Sequence, residues 1–292
     1  MEFYNLCIFM AMGQIRTERL KPFLESVPPG FLTDTAWLRR SGIDSKSIHR
    51  YVERGWLEKI VHGVYRRSLG ELGAVSPDAV DWQIPVLSLQ NIMGCDVHLG
   101  GMSALGLHGH THYLSLGGDA RVYLYGEVPK WLARLPSRTQ FVVRSRVLFG
   151  GDPVGIENED FEIKGGTGKA SLSPWRWPII VSSPERAVLE ALDEVPDGVS
   201  FHALDMVFQG LVNLRPKRLM ALLAACRSVK VKRLFFVFAD RHAHSWVSAL
   251  DKNAVNLGAG PRALVKGGRL HPVYRIYVPE EFVPGRGSVS DA

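Results

Sequence analysis

The stretch from residue 33 to residue 67 constrains the fold most, because two short helical patterns meet there at Gly42 and precede a strand pattern. Thr33 is a residue type preferred as an N-cap and predicts a first helix over residues 34–40. Gly42 accepts the left-handed conformation that commonly ends a helix. Asp44 predicts the N-cap of a second helix over residues 45–54. The spacing therefore predicts two short helices joined by a tight turn.

The second of these helices has one apolar face and one basic face. Ile48, Tyr51 and Val52 recur at helical spacing and are expected to pack inward. Polar and basic residues occupy the opposite face: Ser45, Lys46, Ser47, His49, Arg50 and Arg54. This order is typical of a helix-turn-helix, whose second helix fits the major groove of DNA. We expect Ser45, Lys46, Ser47, His49 and Arg50 to lie in the groove.

A hairpin pattern follows directly. Residues 57–61 and 64–67 predict two strands, and His62-Gly63 predicts a two-residue turn, since both residue types tolerate positive φ. Such a hairpin would be a wing that presents Lys59, His62, Arg66 and Arg67 to DNA. We expect Arg39, Arg54, His62, Arg66 and Arg67 to contact phosphates. A helical hairpin with a solvated basic face and no role in DNA binding is the alternative reading.

The distribution of charge favours an anionic partner for this part of the chain. The 292 residues include 35 Lys and Arg against 29 Asp and Glu, a formal net charge of +6. Four of those six net positive charges come from the first 70 residues. A localised basic surplus of this kind indicates nucleic acid more strongly than a uniformly basic surface does.

Beyond residue 70 the pattern mixes helices and strands in runs. We predict helices over residues 79–93, 184–194, 201–211, 216–226 and 231–250, and strands over residues 121–125, 140–149 and 156–163. A hairpin is predicted over residues 262–278, with its turn at Gly267-Gly268. Runs of each type favour the α+β class over a doubly wound sheet. The Gly-, Ser- and Pro-rich residues 68–80 suggest a winged helix-turn-helix domain at 13–70 and an α+β domain at 78–283.

Several motifs in this order give the chain a family resemblance. They are Gly42-Ile43-Asp44-Ser45, Gly55-Trp56-Leu57, His62-Gly63-Val64-Tyr65-Arg66, Leu99-Gly100-Gly101-Met102-Ser103-Ala104-Leu105, His108-Gly109-His110-Thr111-His112-Tyr113-Leu114, Ser183-Pro184-Glu185-Arg186-Ala187, and Leu257-Gly258-Ala259-Gly260-Pro261-Arg262 with Lys266-Gly267-Gly268. Over roughly residues 15–280 the chain resembles the AbiE-type antitoxins of type IV toxin–antitoxin systems.

The resemblance implies a function for each part of the chain. It implies a DNA-binding repressor of its own operon, with double-stranded operator DNA as the partner of the N-terminal domain. It also implies that the second domain opposes a nucleotidyltransferase-like toxin, without a stable complex being required. A second domain that serves only as an oligomerisation platform is a different interpretation of the same region.

Catalytic and metal-binding patterns are weaker. His108, His110 and His112 alternate near Cys95 and His98, but no fourth ligand from a separate element is evident. The Glu162-x-Lys164 pattern, with Asp152 and Asp160 nearby, resembles the Mg²⁺ site of a nuclease and is also common on half-exposed strands. Residues 165–171 lack the first glycine and the metal-binding hydroxyl of a phosphate loop. We predict no enzyme activity, catalytic residue, metal or cofactor, and keep a Mg²⁺-dependent nuclease with a DNA-binding arm as the alternative.

The cysteines and the apolar runs bear on location. Cys7, Cys95 and Cys226 are odd in number and lack metal-binding spacing, which favours a reducing cytosol over a disulfide framework. The apolar residues at the start lack a basic region and a cleavage site, and no apolar run reaches the length of a membrane span. We therefore expect a cytoplasmic protein without a membrane partner.

Overall fold

The computed structural model describes residues 22–69, 82–110, 121–162 and 176–284. Its α-helices are α1 (Thr35–Arg40), α2 (Ser45–Glu53), α3 (Gln83–Leu87), α4 (Gly101–Leu107), α5 (Pro184–Asp193), α6 (Phe201–Gly210), α7 (Pro216–Ala225) and α8 (Val229–His242). Its strands are β1 (Leu32–Asp34), β2 (Leu57–Val61), β3 (Val64–Arg67), β4 (Val97–Leu99), β5 (Arg121–Gly126), β6 (Gln140–Arg144), β7 (Ile156–Glu162), β8 (Arg176–Ser182), β9 (Arg269–Leu270) and β10 (Tyr277–Val278). The fold belongs to the predicted α+β class.

The strands of the described residues form three sheets. A three-stranded sheet has the order β1-β3-β2, a five-stranded sheet has the order β6-β5-β4-β8-β7, and β9 pairs with β10. None of the helices in this part of the chain is both long and apolar enough to cross a bilayer.

Contacts divide the chain into two compact units. The first takes its described residues from Met1–Val97, Glu127–Phe141 and Glu159–Ile179, and the second takes the remainder. The first unit is therefore assembled from three separate stretches of sequence. The expected boundaries at residues 13–70 and 78–283 stay a prediction about which parts fold independently.

The first unit contains the predicted helix-turn-helix and wing. The side chain of Asp44 caps α2 by accepting a hydrogen bond from Ser47 N, as predicted. Helix α1 is capped by Asp34, which accepts from Trp37 N, so the expectation of Thr33 as the cap is wrong. Thr33 lies instead in β1, a strand that the sequence did not predict, paired with β3. Gly42 has φ +80°, the conformation that its turn requires.

The hairpin has the predicted strand bounds, but the backbone conformation of its turn differs from the predicted one. Strands β2 and β3 pair antiparallel, with Lys59 opposite Tyr65. Only Gly63 of the turn has positive φ, +77°, so the expectation that His62 would share that conformation is wrong. Thr35 donates from its backbone N and from Oγ1 to the carbonyl of Gly63, at 2.9 and 3.2 Å. The wing turn is therefore attached directly to the first turn of α1.

Several aromatic rings pack against one another in the first unit. Tyr51 of α2 packs between Phe23 and Trp56, with ring centroids 5.8 and 5.4 Å away. Phe31 packs against Trp177, with ring centroids 4.7 Å apart. Full burial of a large apolar side chain stabilises a fold by about 1.5–3 kcal/mol, and Phe23, Phe31 and Tyr51 are buried in this way. The apolar face of α2 is thereby fixed inward, and its polar face must point outward.

The second unit is organised around a buried carboxylate on α5. Glu190, 1% exposed, accepts from His98 Nε2 and Arg186 Nε on one oxygen, at 3.0 and 2.9 Å. Its other oxygen accepts from Gly101 N and Ser182 Oγ, at 3.0 and 2.8 Å. This carboxylate therefore ties together β4, the start of α4, the end of β8 and its own helix.

The backbone at Gly100 passes so close to the Glu190 carboxylate that only glycine fits there. A Cβ at Gly100 would collide with the Glu190 carboxylate and with the ring of Tyr125. The Leu99-Gly100-Gly101 and Ser183-Pro184-Glu185-Arg186-Ala187 motifs thus meet at one structural network.

Several helices and strands begin or end at residues other than the predicted ones. Residues 146–149 form a 3₁₀ turn rather than the end of a strand, and the predicted helix at 231–250 ends at His242. Residues 88–92 form a π-helical turn after α3. Helix α5 is capped by the side chain of Ser183, which accepts from Arg186 N. The C-terminal hairpin pairs Arg269 with Val278, and Arg262 bridges Ile276, so the expected pairing around Gly267-Gly268 is wrong in register.

Some predictions lie outside the described residues. These are the beginning of the first domain, most of the 68–80 junction, residues 79–81, His112, Lys164 and residues 165–171, together with the side chain of Glu162.

Candidate nucleic-acid interface

The outward face of α2 carries the residues that the sequence placed in a groove. Successive residues of an α-helix lie 100° apart, so Lys46, His49, Arg50 and Glu53 share the side opposite the buried Ile48 and Tyr51. Lys46 and His49 are exposed, whereas Arg50 and Ser47 are half-buried. Within the described part of the chain, neither Lys46 nor Arg50 has an ion-pair partner. The helix therefore presents two uncompensated cations to solvent.

A groove separates this helix from the wing. It has a volume of about 340 Å³. Its lining combines α1, α2 and the hairpin and consists of Thr35, Arg39, Ser45, Ile48, His49, Val52, Lys59, His62, Gly63 and Tyr65. Five of the predicted contact residues, Arg39, Ser45, His49, Lys59 and His62, are thus brought to one concave surface. All five are exposed.

Two of the residues predicted to contact phosphate, Arg39 and Arg54, lie at the C-terminal ends of α1 and α2. Arg39 at the end of α1 donates from Nη2 to Ser45 Oγ at 3.3 Å. The guanidinium of Arg54, just after α2, lies over the ring of Trp56, 5.3 Å from its centroid. Both side chains are exposed and keep most of their donors facing solvent. They lie at opposite ends of α2.

The structure removes Arg66 and Arg67 from the predicted contact surface. Arg66 is 5% exposed, and its Nε and Nη2 donate to Glu58 Oε2 at 3.0 and 2.5 Å, because the two residues are directly opposite on β2 and β3. Arg67 is half-buried and donates from Nη1 to the carbonyls of Leu24 and Val27. Burial lowers the pKa of Arg67. Both guanidinium groups hold the unit together, so the expectation that they contact phosphate is corrected.

One residue of the face was missed by the sequence reasoning. Glu53 lies among the cations of α2, and its Oε1 is 3.3 Å from His49 Nε2, one helical turn away. Both side chains are well exposed, at 76% for His49 and 62% for Glu53. The i,i+4 spacing of the two residues was the signal that could have identified the pair. A carboxylate at this place opposes the approach of phosphate.

Some of the candidate catalytic and metal-binding residues belong to the described part of the chain. Within the described ranges, no three His, Cys, Asp or Glu side chains come together as a metal site. His108 Nε2 lies 2.9 Å from the carbonyl of Ser182. Asp152 uses Oδ1 to accept from Val154 N in a turn. Burial, followed by the neighbouring His108, lowers the pKa of His110. These residues serve turns and packing in the described structure.

Comparison with known proteins shows a related fold. The chain is similar in fold to the crystal structure of the RV2827C protein from Mycobacterium tuberculosis, with 18% sequence identity, a TM-score of 0.51, and coverage of 84% of this chain and 85% of the other. Curated proteins gave no match.

Two family models cover nearly the whole sequence. Residues 16–116 match a model described as "Transcriptional regulator, AbiEi antitoxin N-terminal domain". Residues 119–279 match a model described as "Transcriptional regulator, AbiEi antitoxin, Type IV TA system". Between them the models include both the helix-turn-helix with its wing and the network around Glu190. The chain therefore belongs to the AbiEi antitoxin family of transcriptional regulators, as its sequence motifs suggested.

Proposed function

We propose that this protein binds double-stranded DNA of its own operon and represses transcription there. The observation that carries the proposal is the basic face of α2, whose Lys46 and Arg50 have no ion-pair partner among the described residues, beside the groove that α2 shares with the wing. A helix of nine residues supported from behind by Tyr51 and Ile48 can enter the major groove as a rigid element. The family description as transcriptional regulators supports the same conclusion.

Within this proposal the residues divide into two roles. Lys46, His49 and Arg50 project from the first two turns of α2, where a helix in the major groove reaches base edges. Ser45 and Ser47 belong to the same turns and supply hydroxyl groups for adjacent bases or phosphates. Contacts to the DNA backbone come from the flanking side chains of Arg39, Arg54, Lys59 and His62.

DNA-binding assays with alanine variants of Lys46 and Arg50, and with a matched lysine control, test the proposal. Replacing Lys46 or Arg50 by alanine should cost about 1–3 kcal/mol on operator DNA if the residue reads a base. Lys217→Ala is the control, because Lys217 is the second residue of α7, as Lys46 is of α2, and is likewise exposed without an ion pair among the described residues. Fluorescence anisotropy on a duplex from the gene's own promoter and on a scrambled duplex separates base reading from phosphate contact. Equal affinity of the wild type and the Lys46→Ala and Arg50→Ala variants would contradict the proposed interface.

We further propose that the protein acts as an antitoxin against a nucleotidyltransferase-like toxin encoded beside it. The family description as an antitoxin of a type IV system supports this function. Co-expression of the toxin with a Lys46→Ala/Arg50→Ala double variant separates the two activities. Loss of promoter repression with retained rescue of growth is the expected result. Failure of the wild-type protein to rescue growth would refute the antitoxin function while leaving DNA binding intact.

A further inference from the structure

A second basic surface lies in the first compact unit, outside the helix-turn-helix and the wing. Residues 127–141 belong to this unit although they follow β5 in the sequence. Their inward side consists of Trp131, Leu132 and Leu135, which are all buried. Lys130, Arg134 and Arg138 are all exposed. We name these 15 residues the basic segment.

Hydrogen bonds place the basic segment beside the wing turn. Trp131 Nε1 donates to Asp34 Oδ2 at 3.1 Å, while Asp34 Oδ1 caps α1 by accepting from Trp37 N at 2.7 Å. The next residue along the chain, Thr35, is bonded through its backbone N to the carbonyl of Gly63 in the wing turn. A continuous path through Asp34 and Thr35 therefore joins Trp131 to Gly63 of the wing turn. Lys130 is adjacent to Trp131 and lies at this junction.

The exposed charge of the segment is not compensated within the described part of the protein. Lys130, Arg134 and Arg138 make no ion pair there, and the single acidic residue of the segment is Glu127. Three like charges within nine residues repel one another, and no ion pair among the described residues offsets this repulsion. Their arrangement favours a polyanion, because phosphates spaced along a duplex can neutralise several such cations at once.

We propose that the basic segment binds the DNA backbone on the flank beyond the wing turn, through Lys130 and Arg134 and with Arg138 further out. This inference rests on the proposed DNA-binding function and adds a contact element from a part of the chain that lies far from the helix-turn-helix in sequence. The segment contributes phosphate contacts and not base recognition. The basic segment therefore increases the affinity for DNA and the length of DNA that the protein covers, and leaves the preferred DNA sequence unchanged.

The salt dependence of DNA binding tests this proposal. Each phosphate contact contributes about 0.9 to the slope of log K against log salt concentration. A Lys130→Gln/Arg134→Gln variant should therefore lower that slope by about 1.8 and weaken binding at 0.1 M salt by about 10- to 60-fold. Lys217→Gln/Lys266→Gln removes the same charge from exposed positions outside this unit and should leave the slope close to that of the wild type. Circular dichroism before each titration confirms that the variants are folded.

Hydroxyl-radical footprinting supplies an independent readout. Loss of Lys130 and Arg134 should shorten the protected backbone on one side of the site and leave protection at its centre in place. An unchanged slope and footprint, in a titration where Lys46→Ala weakens binding, would overturn the role of the basic segment alone. If the wild-type protein bound no duplex at low salt, the proposed function itself would fail, together with this inference.

Discussion

Replacement of Glu190 by glutamine is expected to destabilise the protein strongly, because a single carboxylate accepts four hydrogen bonds in a dry environment. Glutamine keeps one oxygen and turns the other position into a donor, so one pair of donors loses its acceptor. Arg186, 1% exposed, would keep its charge and its bonds to the carbonyls of Asp152 and Val154, but lose its counter-ion.

The magnitude follows from the burial of these groups. An ionic partner removed from a buried pair costs about 3–5 kcal/mol, and each buried donor left without an acceptor costs about 1–3 kcal/mol. Because such costs are not additive among neighbours, we expect a loss of about 4 kcal/mol or more. The free energy of unfolding of a typical domain is about 5–15 kcal/mol, so the variant should be close to the limit of folding.

Urea unfolding followed by circular dichroism measures this loss. Glu280→Gln is the control, since the ion pair of Glu280 with Arg269 is about 70% exposed on both sides and pairs of that kind contribute about 1 kcal/mol or less. If Glu190→Gln unfolded within about 1 kcal/mol of the Glu280 variant, the network would not have the energetic role inferred from its geometry.

The same network predicts how stability depends on pH. Burial alone would raise the pKa of Glu190, but the hydrogen bond and charge of His98, followed by Arg186 and Ser182, outweigh it and lower that pKa. A carboxyl group whose pKa is lower in the folded state stabilises the fold above its unfolded pKa of about 4.3, and this contribution is lost as the pH falls through the folded value. Stability should therefore decline below about pH 4 in the wild type. A Glu190→Gln variant that still folds should show less of this decline.

Three further substitutions have defined outcomes. Glu53→Gln removes the negative charge from the face of α2 and should tighten DNA binding about two- to threefold in anisotropy titrations; weaker binding would place phosphates elsewhere. Gly42→Ala should lower the free energy of unfolding by about 1 kcal/mol, because φ is +80° while nothing lies within 4 Å of the added Cβ, and unchanged stability would contradict the strain. Trp131→Phe leaves a smaller aromatic ring and removes the bond to Asp34, and should cost at least about 1 kcal/mol in thermal or urea unfolding; a neutral effect would show that the anchor is dispensable.

Local signals explain why the helix-turn-helix was predicted well. The cap at Asp44, the glycine at position 42 and the apolar spacing of α2 act within a few residues of each other, so the sequence alone determines them. The error at Thr33 has a physical reason. Asp34 and Thr33 are both suitable caps, and pairing of β1 with β3, some 30 residues away, decides which of them begins the helix.

Long-range assembly explains what the sequence did not reveal. The sequence of a strand does not show which of its basic side chains face solvent and which face the interior. Only the position of Glu58 opposite Arg66 across the hairpin shows that Arg66 is buried. The association of residues 127–141 with the first unit depends on Trp131 meeting Asp34, a contact between residues 97 apart. Neither the spacing of residues nor the composition of the segment contains that information.

The motifs that identify the family and the residues proposed to contact DNA are largely separate. Gly100, Gly101 and Arg186 meet at Glu190 and serve the fold, whereas Lys46, His49 and Arg50 lie on the outward face of α2, where Lys46 and His49 are exposed and Arg50 is half-buried. A fold can therefore persist while its recognition surface changes. Exchanging Lys46, His49 and Arg50 together for other polar residues should change the preferred DNA sequence in a binding-site selection experiment and shift the unfolding temperature by no more than a surface substitution does. A large loss of stability would show that the face of α2 is structural, and an unchanged preferred sequence would show that recognition lies elsewhere in the protein.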